Sequence, residues 1–284
     1  MKDYIVILFY KFTLLIDPKG FAETHKRECV RLGLFGRMIV AEEGINGTFE
    51  GTREAIEVYK DFLRKDSRFS DIAIKESKGT GSSFPNIKIK VRNEIVTLGA
   101  GKFDIAKETA TELPAHELEK WYENGEDFVV LDLRNDYEIA SGKFEKTIDP
   151  GLENFRDLPK KLEQLKDLKN RKVVTVCTGG IRCEKATCLL KKEGFTDIYQ
   201  LKDGIHTYMK EYPGKNFKGT LFVFDNRLTT DVISTEAKVV VGKCSYCSVS
   251  TEDYYSDDAY RPSRKVLCCE ACFAPKKDLL RVIK

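Results

Sequence analysis

A cysteine stands where a buried strand is expected to end and a helix to begin. Cys177 follows the apolar run at residues 172–176 and precedes two adjacent glycines, Gly179 and Gly180, with Arg182 two positions further on. The backbone N–H groups of such a turn and the positive end of the next helix dipole favour a thiolate and bind anions. Glycines let this backbone curl without steric penalty, and Arg182 adds a fixed cation. We therefore predict that Cys177 is a reactive nucleophile with Arg182 at the rim of its loop.

The spacing between the cysteine and the arginine separates two kinds of chemistry. The loop backbone between them consists of Thr178, Gly179, Gly180 and Ile181. Cysteine-dependent phosphatases place one residue more between the two groups. The shorter ring of amides in this chain resembles the active-site loop of rhodaneses, which hold a sulfur atom on the cysteine as a persulfide. Sulfur chemistry is therefore favoured over phosphoryl transfer, and the alternative is that Cys177 is only a buried residue at a strand end.

A second cysteine follows closely. Cys183 lies on the first turn of the predicted helix, near enough in sequence to approach Cys177. It either resolves an oxidised or sulfur-bearing Cys177 into a disulfide or packs as an ordinary half-buried helix residue. Both interpretations fit the sequence.

An acidic and basic segment upstream also resembles rhodaneses. In residues 129–144 an aspartate ends a strand, and an arginine and a glutamate follow it. Asp132, Arg134 and Glu138 are the matching residues. We expect them mainly to orient loops at the carboxyl edge of the sheet.

Helices and strands alternate around this loop. From about residue 112 to residue 214 the two alternate throughout, and runs such as residues 128–131 are continuously apolar. Such strands are buried on both faces, which is typical of a parallel α/β sheet. In an open parallel sheet the ligand crevice lies beyond the carboxyl ends of the strands, where Cys177 stands. Residues 112–214 are therefore predicted to form a parallel α/β domain, and the resemblance of its cysteine loop and upstream segment implies that this domain is rhodanese-like.

Residues 1–100 follow a different order. Strand, helix, strand, strand, helix and strand are predicted in turn, with a hairpin turn at Asn46 and Gly47. That order suits a small antiparallel sheet with two helices on one face, a ferredoxin-like α+β domain. The linker to the next domain is expected between Gly99 and Leu113.

The C-terminal region, residues 217–284, holds five of the nine cysteines. Its two C-x2-C pairs are Cys244 with Cys247 and Cys269 with Cys272. Four thiolates at such spacings suit a tetrahedral zinc site, and a region with few apolar runs needs a metal or a neighbouring domain. Free thiols, or disulfides formed on isolation, are the alternative. Cys268 is a spare thiol or a substitute ligand.

Composition excludes several classes of protein. Nine cysteines without an export signal indicate reduced thiols, so we expect a cytoplasmic location. The apolar stretch at residues 5–16 is interrupted by Lys11, which favours a buried strand over a membrane span. The formal net charge is only +3, so any nucleic-acid surface has to be local. No flavin, haem or nicotinamide motif is seen.

Three motifs together resemble one family. They are AEEGINGT at residues 41–48, CTGGIRCEKA at residues 177–186 and FVFDNR at residues 222–227. They resemble the rhodanese-containing tRNA uridine hydroxylases, and the resemblance covers nearly the whole chain. It implies oxygen-dependent hydroxylation of the wobble uridine to 5-hydroxyuridine, with Cys177 carrying the chemistry through a persulfide. It also implies molecular oxygen as co-substrate and the tRNA anticodon loop as partner.

Two other hypotheses compete with this function. In the first, the chain is a sulfurtransferase or persulfide carrier, which takes sulfur from thiosulfate or a sulfur donor protein and passes it on from Cys177. Otherwise it is a non-catalytic RNA-binding module whose rhodanese-like fold only presents a surface.

One predicted strand offers a surface for RNA. In residues 87–92 a period of two places Lys88, Lys90 and Arg92 on one face and three apolar residues on the other. Cations in such a row bind the phosphates of an exposed RNA loop. A solvated strand face explains the same alternation.

Overall fold

The chain folds into two compact units. The computed structural model describes residues 3–230, 239–260 and 263–283, and one unit ends at Thr97 while the other begins at Leu98. Within these ranges no helix combines the length and the apolar character that crossing a membrane requires.

The first unit is a five-stranded sheet with two helices. Its elements are β1 (Tyr4–Phe12), α1 (Pro18–Arg31), β2 (Phe35–Ala41), β3 (Gly44–Thr52), α2 (Arg53–Arg64), β4 (Ile74–Lys78) and β5 (Ile87–Val91), with a 3₁₀ turn at Ser67–Phe69. The strand order is β4-β1-β3-β2-β5, in which only β5 runs parallel to its neighbour, β2. The first four strands and two helices have the ferredoxin-like arrangement, so the predicted α+β fold is confirmed.

Side-chain caps begin both helices of this unit. Asp17 accepts a hydrogen bond from the Gly20 N–H at 2.9 Å, and Thr52 accepts one from the Ala55 N–H at 3.3 Å. These oxygens satisfy N–H groups that have no partner within the helix. The apolar faces of the helices pack on one side of the sheet, where Phe9, Phe49 and Tyr59 lie at the centre of the core.

The strand assignment of this unit differs from the prediction in one respect. β4 was not predicted, and the predicted fourth strand is β5, an extra strand beside β2. The sequence of β4, IKESK, has a single apolar residue. Its position depends on backbone pairing with β1 rather than on a hydrophobic pattern.

The predicted turn at Asn46 and Gly47 was wrong. Both residues lie inside β3, and the hairpin turns at residues 42–43. A β-carbon on Gly47 would lie 2.5 Å from the ring of Phe9, so glycine is required there for close packing rather than for a turn.

A parallel sheet forms the core of the second unit. Its elements are α3 (Ile105–Glu108), β6 (Thr111–Leu113), α4 (Ala115–Glu123), β7 (Val129–Asp132), α5 (Asp136–Ile139), β8 (Gly142–Phe144), β9 (Thr147–Ile148), α6 (Leu158–Lys161), β10 (Val173–Val176), α7 (Ile181–Lys192), β11 (Ile198–Leu201) and α8 (Gly204–Glu211), with 3₁₀ turns at Phe155–Asp157 and Leu162–Leu168. The strand order is β6-β11-β10-β7-β9, and all neighbours are parallel. Every residue of β7 and β10 is buried, so the predicted parallel α/β fold is confirmed. The segment expected to be a linker contains α3 and β6.

Short strands and turns make up the C-terminal part. Its elements are β12 (Phe217–Gly219), β13 (Leu221–Phe222), β14 (Thr229–Thr230), β15 (Tyr254–Asp257), β16 (Arg264–Leu267), α9 (Glu270–Phe273) and β17 (Leu280–Val282), with a 3₁₀ turn at Ala274–Lys276. β12 pairs with β8, and β15 lies between β16 and β17 in a three-stranded sheet. Phe222 and Tyr254 form a small core that packs against Tyr137 of α5. The C-terminal part therefore buries its apolar side chains against the parallel α/β part.

Candidate functional site

The Cys177 loop connects β10 to α7 at the carboxyl edge of the parallel sheet. β10 ends at Val176, and α7 begins at Ile181. Gly180 adopts a left-handed conformation, φ 103°, which a residue with a β-carbon rarely adopts. In this conformation the Gly180 N–H donates a hydrogen bond to Cys177 Sγ at 3.2 Å. The loop thus curls around a fully buried thiol.

The beginning of α8 supports the loop through main-chain hydrogen bonds. The N–H of Ile205 donates to the carbonyl of Cys177, and the N–H of His206 donates to the carbonyl of Thr178, each at 3.0 Å. A β-carbon on Gly204 would lie 2.6 Å from the Cys177 carbonyl oxygen. Gly204 was not among the predicted site residues, although a glycine at the start of a predicted helix was an available signal.

The surroundings of Cys177 stabilise its thiolate. Burial raises the pKa of this thiol. A hydrogen bond from Cys183, the charge of Arg182 and the backbone N–H groups of Arg182 and Cys183 outweigh burial and lower the pKa to about 6. Burial and the neighbouring Cys177 sulfur raise the pKa of Cys183. The two neighbouring cysteines therefore differ in acidity, with the pKa of Cys177 lowered and that of Cys183 raised.

Glu138 fixes the loop arginine. Its carboxylate accepts hydrogen bonds from both terminal nitrogens of Arg182, at 2.7 and 2.8 Å. Burial raises the pKa of Glu138, but the guanidinium of Arg182 outweighs burial and keeps the pKa below its ordinary value. Arg182 also contacts the Thr178 hydroxyl at 3.3 Å. Glu138 was predicted only to orient loops, because no sequence pattern links it to an arginine 44 positions away.

The two other predicted residues of the segment at residues 129–144, Asp132 and Arg134, bind partners within that segment. Asp132 and Arg134 form a fully buried ion pair at 2.6 Å, and Arg134 also donates to the carbonyls of Glu138 and Gly142. These contacts hold the turn between β7 and β8, which presents Glu138 to the loop.

An exposed aromatic ring lies beside the loop arginine. The guanidinium carbon of Arg182 lies 6.0 Å from the centre of the Phe224 ring, which is 40% exposed. Asp225 and Arg227 of the same FVFDNR motif form an ion pair at 2.6 Å. The motif was predicted only as part of a family resemblance, and its proximity to Arg182 could not be read from the sequence.

The structure brings together the four cysteines of the C-x2-C pairs. The Sγ atoms of Cys244, Cys247, Cys269 and Cys272 all lie within 4.8 Å of one another. Zinc–sulfur bonds of about 2.3 Å place tetrahedral thiolates about 3.8 Å apart, so this group could hold a metal ion. Cys268 lies outside the group, fully buried in a small core with Leu280.

The alternation in β5 is as predicted. Lys88 and Lys90 are exposed, while Ile87, Ile89 and Val91 pack against the core of the first unit. Arg92 follows the strand and is also exposed. Lys88 lies beside Arg37 of β2, so the cations extend across two strands.

The parallel sheet, with a cysteine loop between one strand and a helix, defines a rhodanese-like domain within the second unit. Residues 114–211 match the rhodanese-like domain family, residues 4–95 match the family described as UPF0176 acylphosphatase like domain, and residues 218–280 match the family described as rhodanase C-terminal.

Similarity to curated proteins extends over nearly the whole chain. A protein of Cytophaga hutchinsonii is 38% identical over 96% of this chain and 86% of its own length. Proteins of Aster yellows witches'-broom phytoplasma and Staphylococcus haemolyticus are 41% and 40% identical, over 95% and 94% of this chain and 88% and 84% of their own lengths. All three are named tRNA uridine(34) hydroxylase. The chain belongs to the tRNA uridine(34) hydroxylase family.

Proposed function

We propose that this chain hydroxylates uridine 34 of tRNA to 5-hydroxyuridine, with Cys177 as the residue that carries the chemistry. The observation that carries the proposal is the full-length similarity to tRNA uridine(34) hydroxylases combined with a Cys177 thiolate at the carboxyl edge of the sheet. We assign Arg182 to hold anionic groups at the loop and Cys183 to donate a hydrogen bond to the reactive sulfur. Molecular oxygen is the proposed source of the hydroxyl oxygen.

Nucleoside analysis tests this function. Digested tRNA from cells that lack the protein should contain no 5-hydroxyuridine, and the wild-type gene should restore it. Growth under ¹⁸O₂ should place the heavy isotope in the nucleoside. If the purified chain instead turned over thiosulfate while the tRNA nucleosides stayed unchanged, the sulfurtransferase hypothesis would replace hydroxylation.

The low pKa of Cys177 predicts a pH dependence. The thiolate fraction should rise through pH 6 and be nearly complete above about pH 7, whereas a thiol at the ordinary value of 9.0 is still mostly protonated there. Because Cys177 is buried, the measurement is ultraviolet thiolate absorbance, taken as the difference between wild type and Cys177→Ala. A midpoint near 9 in the folded protein would refute the assignment, and the unfolded protein provides the reference midpoint.

We propose that the exposed face of β5 binds tRNA phosphates. Lys88, Lys90 and Arg92 support this assignment because they lie in a row and Arg37 extends the row. An anticodon loop presents unpaired nucleotides, so the protein does not have to open a duplex to reach the base.

Charge reversal tests the β5 face. We expect Lys88→Glu with Lys90→Glu to weaken tRNA binding at low salt by about tenfold or more, because two phosphate contacts are lost. The slope of log affinity against log salt should become shallower by about 1.4. The matched control is Lys19→Glu with Lys26→Glu, two exposed lysines on α1, which packs on the other face of the same sheet. Equal losses in both double variants would indicate an effect of net charge alone.

We propose that the four clustered cysteines hold a structural zinc ion. Zinc would link the loop that carries Cys244 and Cys247 to the start of α9. We also propose a cytoplasmic location and a sulfur donor protein that loads Cys177.

A further inference from the structure

A cavity of about 370 Å³ lies between α5 and the C-terminal sheet. Four tyrosines line it, namely Tyr137, Tyr246, Tyr254 and Tyr260. Its volume falls within the usual range for small-molecule sites. Neither Cys177 nor the cysteine cluster is part of its lining.

Two of the tyrosine rings are partly exposed, and the Lys276 ammonium lies 5.0 Å from the centre of one of them, Tyr246. Tyr246 is 42% exposed and Tyr260 is 51% exposed. The hydroxyl of Tyr246 donates to Asp257 at 3.1 Å, which fixes the orientation of its ring. Aromatic rings held partly exposed in a recess are the platforms on which unpaired nucleobases stack.

Basic side chains lie on the same wall. Arg264 pairs with Asp136 of α5, and the Arg264 guanidinium carbon lies 5.9 Å from the centre of the Tyr260 ring. A guanidinium has five N–H donors, so pairing with Asp136 still leaves Arg264 able to donate to a phosphate. Lys243 is an exposed lysine on the cavity wall. Rings and cations in this arrangement match a nucleotide, which has an aromatic base and an anionic phosphate.

The cavity shares α5 with the Cys177 loop. Asp136 and Tyr137 face the cavity, while the next residue, Glu138, binds Arg182. The cavity and the Cys177 loop therefore contact the same short helix, within one turn of each other. An RNA strand with one nucleotide at Cys177 would bring an adjacent nucleotide to the cavity.

We propose that this cavity binds the nucleotide next to the target uridine, with its base on Tyr260 and its phosphate on Arg264 and Lys243. The assignment rests on the proposed function, since it takes the RNA at Cys177 as the substrate. It adds a specificity subsite formed by the C-terminal sheet.

Equilibrium binding of a short RNA hairpin with an anticodon loop tests the subsite. We expect Tyr260→Leu to weaken binding by about tenfold, the typical value of one base–aromatic stack, while Tyr260→Phe keeps wild-type affinity. Arg264→Gln should also weaken binding. Arg281→Gln is the matched control, because Arg281 is an exposed arginine paired with Asp258 in the same sheet but does not line this cavity.

Photocrosslinking locates the nucleotide. A hairpin with 4-thiouridine beside position 34 should crosslink to the peptide that carries Tyr260, and Tyr260→Leu should reduce the yield. Wild-type affinity in Tyr260→Leu, equal losses in Arg264→Gln and Arg281→Gln, or crosslinks only outside the C-terminal sheet would overturn the proposal. Because binding is measured without turnover, a wild-type chain that binds through the cavity but forms no 5-hydroxyuridine would refute the proposed function alone.

Discussion

Cells whose only copy of this protein carries Cys177→Ala are expected to contain tRNA without 5-hydroxyuridine. The substitution removes the sulfur that the Gly180 N–H, Arg182 and Cys183 hold as a thiolate. Loss of an essential nucleophile in other enzymes costs far more than a thousandfold in turnover, so we expect at least about that loss here. The measurement is mass spectrometry of tRNA nucleosides, together with single-turnover assays of the purified protein.

Two further variants make this result interpretable. Cys177→Ser keeps the size of the side chain and a partner for the Gly180 N–H, but a hydroxyl stays neutral at these pH values, so it should be equally inactive. Cys188 is a buried cysteine on α7, outside the loop, so Cys188→Ala should retain activity. Normal hydroxylation with Cys177→Ser would falsify the nucleophile assignment.

The second large effect concerns metal removal. We expect the purified protein to contain zinc, and chelation or Cys247→Ser with Cys272→Ser to release it and unfold the C-terminal sheet. Structural zinc contributes about 10–16 kcal/mol in zinc-finger peptides, and the core that packs around Cys268 and Leu280 is small. Elemental analysis measures the metal, and limited proteolysis measures the exposure of the C-terminal part.

A neighbouring cysteine provides the control for the zinc experiment. Cys268→Ala removes a buried thiol next to Cys269 but outside the cluster, so the metal should stay bound. A protein that contains no zinc when purified, or a proteolysis pattern that chelation leaves unchanged, would contradict a structural metal site.

The sequence predicted those features that depend on local patterns. The apolar runs of β7 and β10 indicated a buried parallel sheet, and the glycines after Cys177 indicated the loop that α7 follows. The spacing of the cysteines anticipated their cluster, and the alternation at Lys88 and Lys90 identified the exposed face of β5. In each case the pattern lies within a few residues or repeats with the period of a single strand.

Other features depend on residues far apart in the chain and could not be predicted. Glu138 and Arg182 lie 44 positions apart and meet only because β7 and β10 are neighbours in the sheet. Gly47 resembled a turn residue because packing against Phe9 and a hairpin turn both call for glycine. The placement of Phe224 beside Arg182 likewise depends on how the C-terminal part folds back onto α5.

The contact at Gly204 also bears on how this protein tolerates change during evolution. The hydrogen bonds from α8 to the loop come from the main-chain N–H groups of Ile205 and His206, so these bonds do not depend on which side chains stand there. Burial nevertheless restricts Ile205, His206 and Tyr208 to side chains that fit the core. A methyl group at Gly204 itself would push against the Cys177 carbonyl and widen the ring of amides. Tolerance along α8 should therefore be graded, with Gly204 intolerant, the buried positions limited to side chains of similar size, and the exposed Lys210 and Glu211 free to vary.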